Sequence, residues 1–438
     1  MSEPARNHRF HASVSGAEAV ADLDAVHFFD RAVQEQPNAF YRALRQRAPI
    51  YREESLGVYL VSRYEDLQTV MKDPVTFSME KGYYSQMAHG YLEELKAVLV
   101  KDGGGWFPDV VNVDPPAHQR ARSLVQQAFT ARRISALQHI FARQVRALVD
   151  TAAARGSMEG VKDLALPMAI GFAADQLGVN DLDHATIRRW GAAYLAQFSL
   201  FSGREQMMSI AADLCEMQHY LIDLVKRRME EPGEDMLSDL IGARVEDPRP
   251  SLEFEELVAA ARAILINTHD SVSTAMVNVL LAVASDDAIA ASFYAAADDP
   301  ERMSRVVEEI LRLEPPVRAL SRIVTRPVEL GGELLPEGAH LLLLFASGND
   351  DEEAFPEARE FLPDRRNLVR NITFGAGRHV CLGIALARMQ LRVASCEVAR
   401  RLKHLRLSVP LEDLRYTPNA ALLSIETLPL VFDPAIGQ

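Results

Sequence analysis

Phe374-Gly-Ala-Gly-Arg-His-Val-Cys-Leu-Gly383 is the stretch on which the reading of this chain turns. One cysteine, Cys381, sits in a glycine-flanked turn, and Leu382 to Val398 behind it reads as a helix. A cysteine placed there faces backbone N–H groups and the positive end of the helix dipole, which favour thiolate over thiol. A thiolate is what a metal needs. Gly375, Gly377 and Gly383 let the backbone turn tightly and let a flat, bulky group approach without a Cβ in the way. Arg378 and His379 offer donors to acidic substituents on such a group. A buried structural cysteine would leave the three glycines and the Arg/His pair unexplained.

This run resembles the haem-ligand loop of the cytochrome P450 family, Phe-Gly-x-Gly-x-His-x-Cys-x-Gly in bacterial members, and meets every fixed position. The resemblance implies a mainly α fold with small β-sheets (α+β), shaped as a triangular prism and forming one large domain over residues 1–438. It also implies haem b as cofactor, Cys381 as the axial thiolate and Phe374 packed on the sulfur side of the macrocycle. Thiolate ligation pushes electron density onto iron and favours O–O cleavage.

Composition agrees with such a class. The chain has 438 residues, 48% of them hydrophobic, and no Pro/Gly/Ser linker or internal repeat divides it. The net charge of −14 argues against nucleic acid as a partner. Three cysteines, Cys215, Cys381 and Cys396, are too few and too odd in number for a disulfide framework, which fits a reducing cytoplasm. The N-terminus is polar, without an apolar signal segment, and residues 1–20 are expected to be loosely packed. No stretch approaches the roughly 20 apolar residues of a membrane span. The expectation is a monomer without membrane attachment.

Along the chain, Pro37 to Ala48 reads as a helix, and Tyr51–Glu53 with Val58–Val61 as a hairpin around Gly57. Tyr64 to Lys72 is again helical. Met79 to Val111, with Gly103-Gly-Gly105, reads as a long, partly irregular connection. Helical periodicity runs from Ala117 to Ser285, a β-rich patch covers Val328 to Phe345, and strands close the chain between Leu422 and Leu430.

Other motifs carry chemistry. Asp114-Pro-Pro-Ala-His-Gln-Arg-Ala-Arg122 opens a helix on prolines and places His118 and Arg122 on one face. That face suits a carboxylate pair or is simply solvated; similarity to the family's propionate helix tips it to the former. By position Arg322 resembles the third propionate ligand, and Arg318 is left as a solvated arginine. Glu309 and Arg312 resemble the family's Glu-x-x-Arg element, and Phe361-Leu-Pro-Asp-Arg365 supplies the arginine that should complete a structural network.

In the helix around Ala259 to Ser285, Asp270-Ser271 interrupts an apolar run. Ser271 either bonds back to a carbonyl one turn earlier or, with Asp270, forms a proton-delivery pair. The pair aligns with the acid and alcohol of the family's distal helix. Ser271 stands where threonine is usual, and Asn267-Thr268 where a small pair is usual. Asn267 should share a face with Ser271, its amide reaching the hydroxyl or the substrate. His269 reads as a satisfied core histidine.

The resemblance implies pocket walls from Met79–Val111, the stretch around Tyr194 to Phe201, the distal helix, Val317–Leu320 and Ala421–Ser424, mainly apolar with Met79, Tyr83, Tyr84, Trp106, Phe107, Phe198 and Phe201 among them. They suit a lipophilic substrate. The resemblance implies a monooxygenase that hydroxylates or epoxidises it with electrons from a ferredoxin-type donor. That donor would dock on a cationic face of Arg122, Arg378, Arg388 and Arg392. A peroxide-driven enzyme of the same fold, or a non-catalytic haem protein, are the alternatives.

Overall fold

The computed structural model describes residues 23, 26–86, 90–179, 181–198, 203–417 and 421–433; residues 1–20 lie outside these. Helices dominate. The ones that matter for the site are α1 (Met79–Gln86), α2 (Ala117–Val125), α3 (Ala131–Arg155), α4 (Leu166–Leu177), α5 (His184–Ala196), α6 (Phe254–Ser285), α7 (Pro300–Leu313) and α8 (Ile384–Arg401).

The longest, α6, is started and stopped by its own sequence. Glu253 and Glu256 form a reciprocal capping box at its first turn. At the other end Asp286 leaves helical geometry and caps the next helix through Ala288 and Ile289. Between them nearly every side chain from Val272 to Val283 is buried. A helix apolar all round belongs in a core, and α6 packs most heavily on α4, with α8 lying along α3. Thr130 caps α3 by accepting from the Arg133 N–H, and Gly156 ends it in the left-handed region at φ 70°.

One five-stranded sheet flanks this bundle. With β1 (Ile50–Glu53), β2 (Val58–Val61), β3 (Phe77–Ser78), β4 (Ala319–Val324) and β5 (His340–Leu344), its order is β1-β2-β5-β4-β3. The β2–β5 pair is parallel and the others antiparallel. Strand β4, opposite β5 in the register Arg322↔Leu341, lies upstream of the expected β-rich patch, so the strand that carries Arg322 went unread. The hairpin and the Tyr64–Lys72 helix form as expected. The Met79–Val111 connection is not simply irregular: it holds α1 and a second helix, Leu92–Asp102. No single helix among the described residues is long and apolar enough to cross a membrane.

Beneath the cysteine loop lies a buried ion network. Arg312 grips both oxygens of Glu309 at 2.8 Å, and Arg365 donates to Glu309 Oε1 at 2.9 Å. The Leu362 N–H adds a fourth bond at 3.1 Å. Arg312 also holds the Asn349 carbonyl at 2.7 Å, tying α7 to the segments leading into the loop. Arg318 is not solvated as expected; it is buried and donates to the Gln34 carbonyl and to Glu314.

Candidate active site

The segment 374–383 folds into a closed turn, the Cys381 N–H donating to the Phe374 carbonyl at 2.9 Å. Gly375 and Gly377 sit in the left-handed region at φ 73° and 68°. A Cβ on Gly377 would collide with the Met71 carbonyl. Gly383 is different: its φ is ordinary, −81°, and a Cβ there would stand 3.9 Å from the Cys381 sulfur. Its smallness leaves space beside the sulfur and answers no backbone demand.

The sulfur opens onto a cavity of about 440 Å³ while protein encloses it on its other sides. Burial pushes the Cys381 thiol up; the Gly383 N–H and Arg122 pull the other way and lose. The Gly383 N–H favours the thiolate, as expected of this turn, but desolvation outweighs it, and a bound cation has to supply the difference.

Around the same end of the cavity the structure gathers cations and imidazoles that lack acids. Arg122 donates to the Val380 carbonyl at 2.8 Å. Arg322, on β4, is buried and donates to its neighbouring Ser321 carbonyl at 2.7 Å. Burial holds it down at about 10. The rings of His118 and His379 stack with centroids 4.1 Å apart, and the Nε2 atoms of both are buried without a hydrogen-bond partner among the described residues. Burial, with neighbouring positive charge, pushes His379 down to about 3 and His118 down as well, so both are neutral. Arg378 is exposed beside this group. No carboxylate lies within ion-pair distance of Arg122, Arg322 or Arg378 among the described residues.

On α6, Asn267, Asp270 and Ser271 all face the cavity. The Ser271 hydroxyl donates to the Asn267 backbone carbonyl at 2.7 Å, so these two residues meet through the main chain and not through the amide. His269, 1% exposed, is saturated: Nδ1 meets the Leu265 carbonyl at 2.7 Å and Nε2 meets Asp270 Oδ1 at 3.2 Å. Burial pulls this imidazole down, but the Asp270 carboxylate outweighs it and leaves it raised. Asp270 Oδ2 is buried without a partner. Gly191 of α5 makes room for the histidine ring, since a Cβ there would fall 2.6 Å from Nε2. The partner of Asp270 is its own neighbour in the chain; what the fold adds is the enclosure of the pair beneath α5.

Of the expected walls, Met79, Tyr83, Phe198, Val317, Leu320, Ala421 and Leu422 line the cavity. Tyr84, Trp106 and Phe107 do not, and Phe107 belongs to the core; Phe201 lies outside the described residues. Sequence reasoning missed Asn112 and Val125 and gave no sign that Tyr194 pairs with Tyr83. The cationic docking face is also reduced. Arg122 turns to the cavity, Arg388 is bound by Glu308, and Arg392 donates to Gln138.

Comparison with known proteins decides the family. The cytochrome P450 family model matches residues 193–429. Nocardicin C N-oxygenase of Nocardia uniformis subsp. tsuyamanensis is 32% identical over 398 residues, covering 89% of this chain and 92% of that one. This chain is a cytochrome P450. The erythromycin C-12 hydroxylase of Saccharopolyspora erythraea is 30% identical over 377 residues, 85% of this chain and 89% of its own. Among solved structures, the cytochrome P450 CYP109Q5 of Chondromyces apiculatus superposes with a TM-score of 0.81 at 27% identity, covering 94% and 99% of the two chains. The protein is thus a P450 monooxygenase that uses haem, with bacterial hydroxylases among its relatives.

The residues present fit that cofactor. A dicarboxylate such as haem would satisfy the two orphaned imidazole nitrogens and the acid-free arginines. Its iron would meet Cys381, the one thiol among the described residues of the cavity wall, and Gly383 leaves space beside that sulfur.

Proposed function

We propose that this P450 inserts one oxygen atom into an apolar small molecule (hydroxylation or epoxidation), the other atom leaving as water with two electrons and two protons. The electrons come singly from a ferredoxin-type protein, and the enzyme works as a one-domain monomer in the cytoplasm. The observation that carries this reading is a single cavity walled by the Cys381 sulfur, by acid-free arginines and by the Asp270–Ser271 pair. When bound, the haem supplies the redox chemistry of dioxygen.

In this reading Cys381 is the thiolate ligand. His118, Arg122, Arg322 and His379 hold the propionates, with Arg378 at the outer edge. Phe374 packs on the sulfur side, where the Arg388 guanidinium lies 5.2 Å from its ring, and Gly375 and Gly383 leave the macrocycle its space. Asp270 is the proton donor: one oxygen is anchored by His269 while the other is unpaired, leaving it an acceptor for a proton arriving from outside. Ser271 passes protons from the cavity side, where its hydroxyl is held by the Asn267 carbonyl. The Asn267 amide orients a polar group of substrate or a water. Three free cysteines agree with a reducing compartment.

The test begins with the haem-loaded protein. A thiolate-type spectrum with carbon monoxide, lost in Cys381→Ser, is expected; its survival in that variant would end the reading. Turnover with reductase, ferredoxin and NADPH should fall about a hundredfold in Asp270→Asn, the loss typical of a missing general acid. Turnover driven by peroxide alone, unchanged by that substitution, would instead mark a peroxide-dependent enzyme.

A further inference from the structure

One polar element in the cavity wall has no part in this chemistry. Tyr83 of α1 and Tyr194 of α5 both line the cavity, and their hydroxyls meet at 2.5 Å. Behind Tyr194 sits Arg262 of α6, buried, its guanidinium carbon 5.6 Å from the Tyr194 ring. Arg262 spends one N–H on the Phe107 carbonyl at 2.8 Å and leaves Nε without a partner among the described residues.

The hydrogen atoms can be counted. Two phenols carry two protons, and one of them bridges the pair. The second cannot point at Arg262, which has donors only. Neither hydroxyl has a hydrogen-bonded acceptor elsewhere among the described residues. Burial pushes both phenols above their ordinary value, so both protons stay in place. The Arg262 cation beside Tyr194 makes that phenol the better donor of the two, so the favourable order runs Tyr194 to Tyr83. The chain ends on a Tyr83 O–H turned to the cavity, in a wall otherwise largely apolar.

We propose that the Tyr83–Tyr194 pair is a substrate anchor that recognises a neutral oxygen acceptor, a ketone or ester carbonyl, on an otherwise apolar molecule. Neutrality follows from Asp109. It is 4% exposed, accepts from the Val111 and Asn112 N–H groups at 2.8 Å, and places a negative charge in the same cluster as Arg262. The two charges offset each other, so the anchor offers a polarised donor without net positive potential, and a carboxylate would find no net cation there to repay its desolvation. The site selects substrates with a carbonyl set apart from the carbon that reacts. This inference rests on the monooxygenase reading for its cofactor and its cavity.

The experiment measures binding to the haem-loaded enzyme by equilibrium dialysis, with the optical shift on displacement of iron-bound water as a second readout. The probes are shape-matched: 4-phenylcyclohexanone, phenylcyclohexane and 4-phenylcyclohexanecarboxylate. The wild type is expected to favour the ketone over both others. Tyr83→Phe should weaken ketone binding about five- to tenfold, the worth of one hydrogen bond, and leave the hydrocarbon unchanged. Tyr194→Phe should shift the ketone in the same direction by less. Equal ketone binding in wild type and Tyr83→Phe, equal loss of ketone and hydrocarbon, a preference for the carboxylate, or no ketone binding by the wild type would each overturn the anchor. A missing thiolate-type carbon monoxide spectrum in the wild type would fault the parent reading instead, so the two failures are separable.

Discussion

Replacing Arg322 with methionine should stabilise the protein without its cofactor and weaken its hold on haem, two effects of opposite sign from one side chain. Arg322 is 4% exposed, has no acid within ion-pair distance among the described residues, and is held down at about 10 by burial. An ordinary arginine lies two to three powers of ten higher, so the buried charge costs about 3 kcal/mol. Both folded and unfolded chains keep this proton at neutral pH. The cost is therefore constant below pH 10 and is relieved only as pH rises through that value. Unfolding entropy scales at roughly 2 cal/mol/K per residue, so over 438 residues removing that cost raises Tm by about 3 °C. In the holoprotein the lost charge-assisted bond to a propionate is worth about 1.5–3 kcal/mol, or roughly 10- to 150-fold faster haem transfer to apomyoglobin. Calorimetry on the haem-free chain and transfer kinetics on the loaded one supply the two numbers. A variant that is less stable without haem, or that releases haem at the wild-type rate, refutes the assignment.

Three further outcomes are expected. Glu309→Ala strands two buried guanidiniums and should cost about 3–5 kcal/mol, seen as a lowered denaturation midpoint and poor yield of folded holoprotein; a shift under 1 kcal/mol would mean the network contributes little. Gly377→Ala must place a Cβ against the Met71 carbonyl on a left-handed backbone, so haem incorporation should drop severalfold, measured as the ratio of Soret to protein absorbance. His269 has its imidazole raised by Asp270, so the charged pair contributes its full stability below the ordinary imidazole value near 6.5 and loses it as pH rises through the raised value. The Tm gap between wild type and His269→Asn should therefore narrow as pH rises from 6 to 9, and a gap that widens contradicts the pairing.

Residues that act through local backbone or sequence spacing were legible in advance. The cysteine loop and the α6 span follow from a motif and a periodicity confined to short windows, whereas the Glu309–Arg312–Arg365 network, whose arginine lies far along the chain, was expected only from the family resemblance; the structure assembles all three. Strand β4 was not legible: Ala319–Val324 carries a half-alternating pattern between two arginines, and only pairing with β5 gives it strand geometry. The net acidity of the thiol was not legible either. A helix start is visible in the sequence, but the burial that outweighs its N–H exists only once the fold closes around the sulfur.

By itself the sequence determined which atom can bind a metal, which helix must be buried, and where backbone turns demand glycine, because these are properties of neighbours along the chain. Tertiary structure alone decided which polar groups are left without partners. Among the described residues, the Nε2 atoms of His118 and His379, one oxygen of Asp270 and one phenolic proton of the Tyr83–Tyr194 pair stand unanswered, and Arg322 lacks a carboxylate, only once helices and sheet close around them. Unmet hydrogen bonding is a property of enclosure, and enclosure exists only in the folded chain.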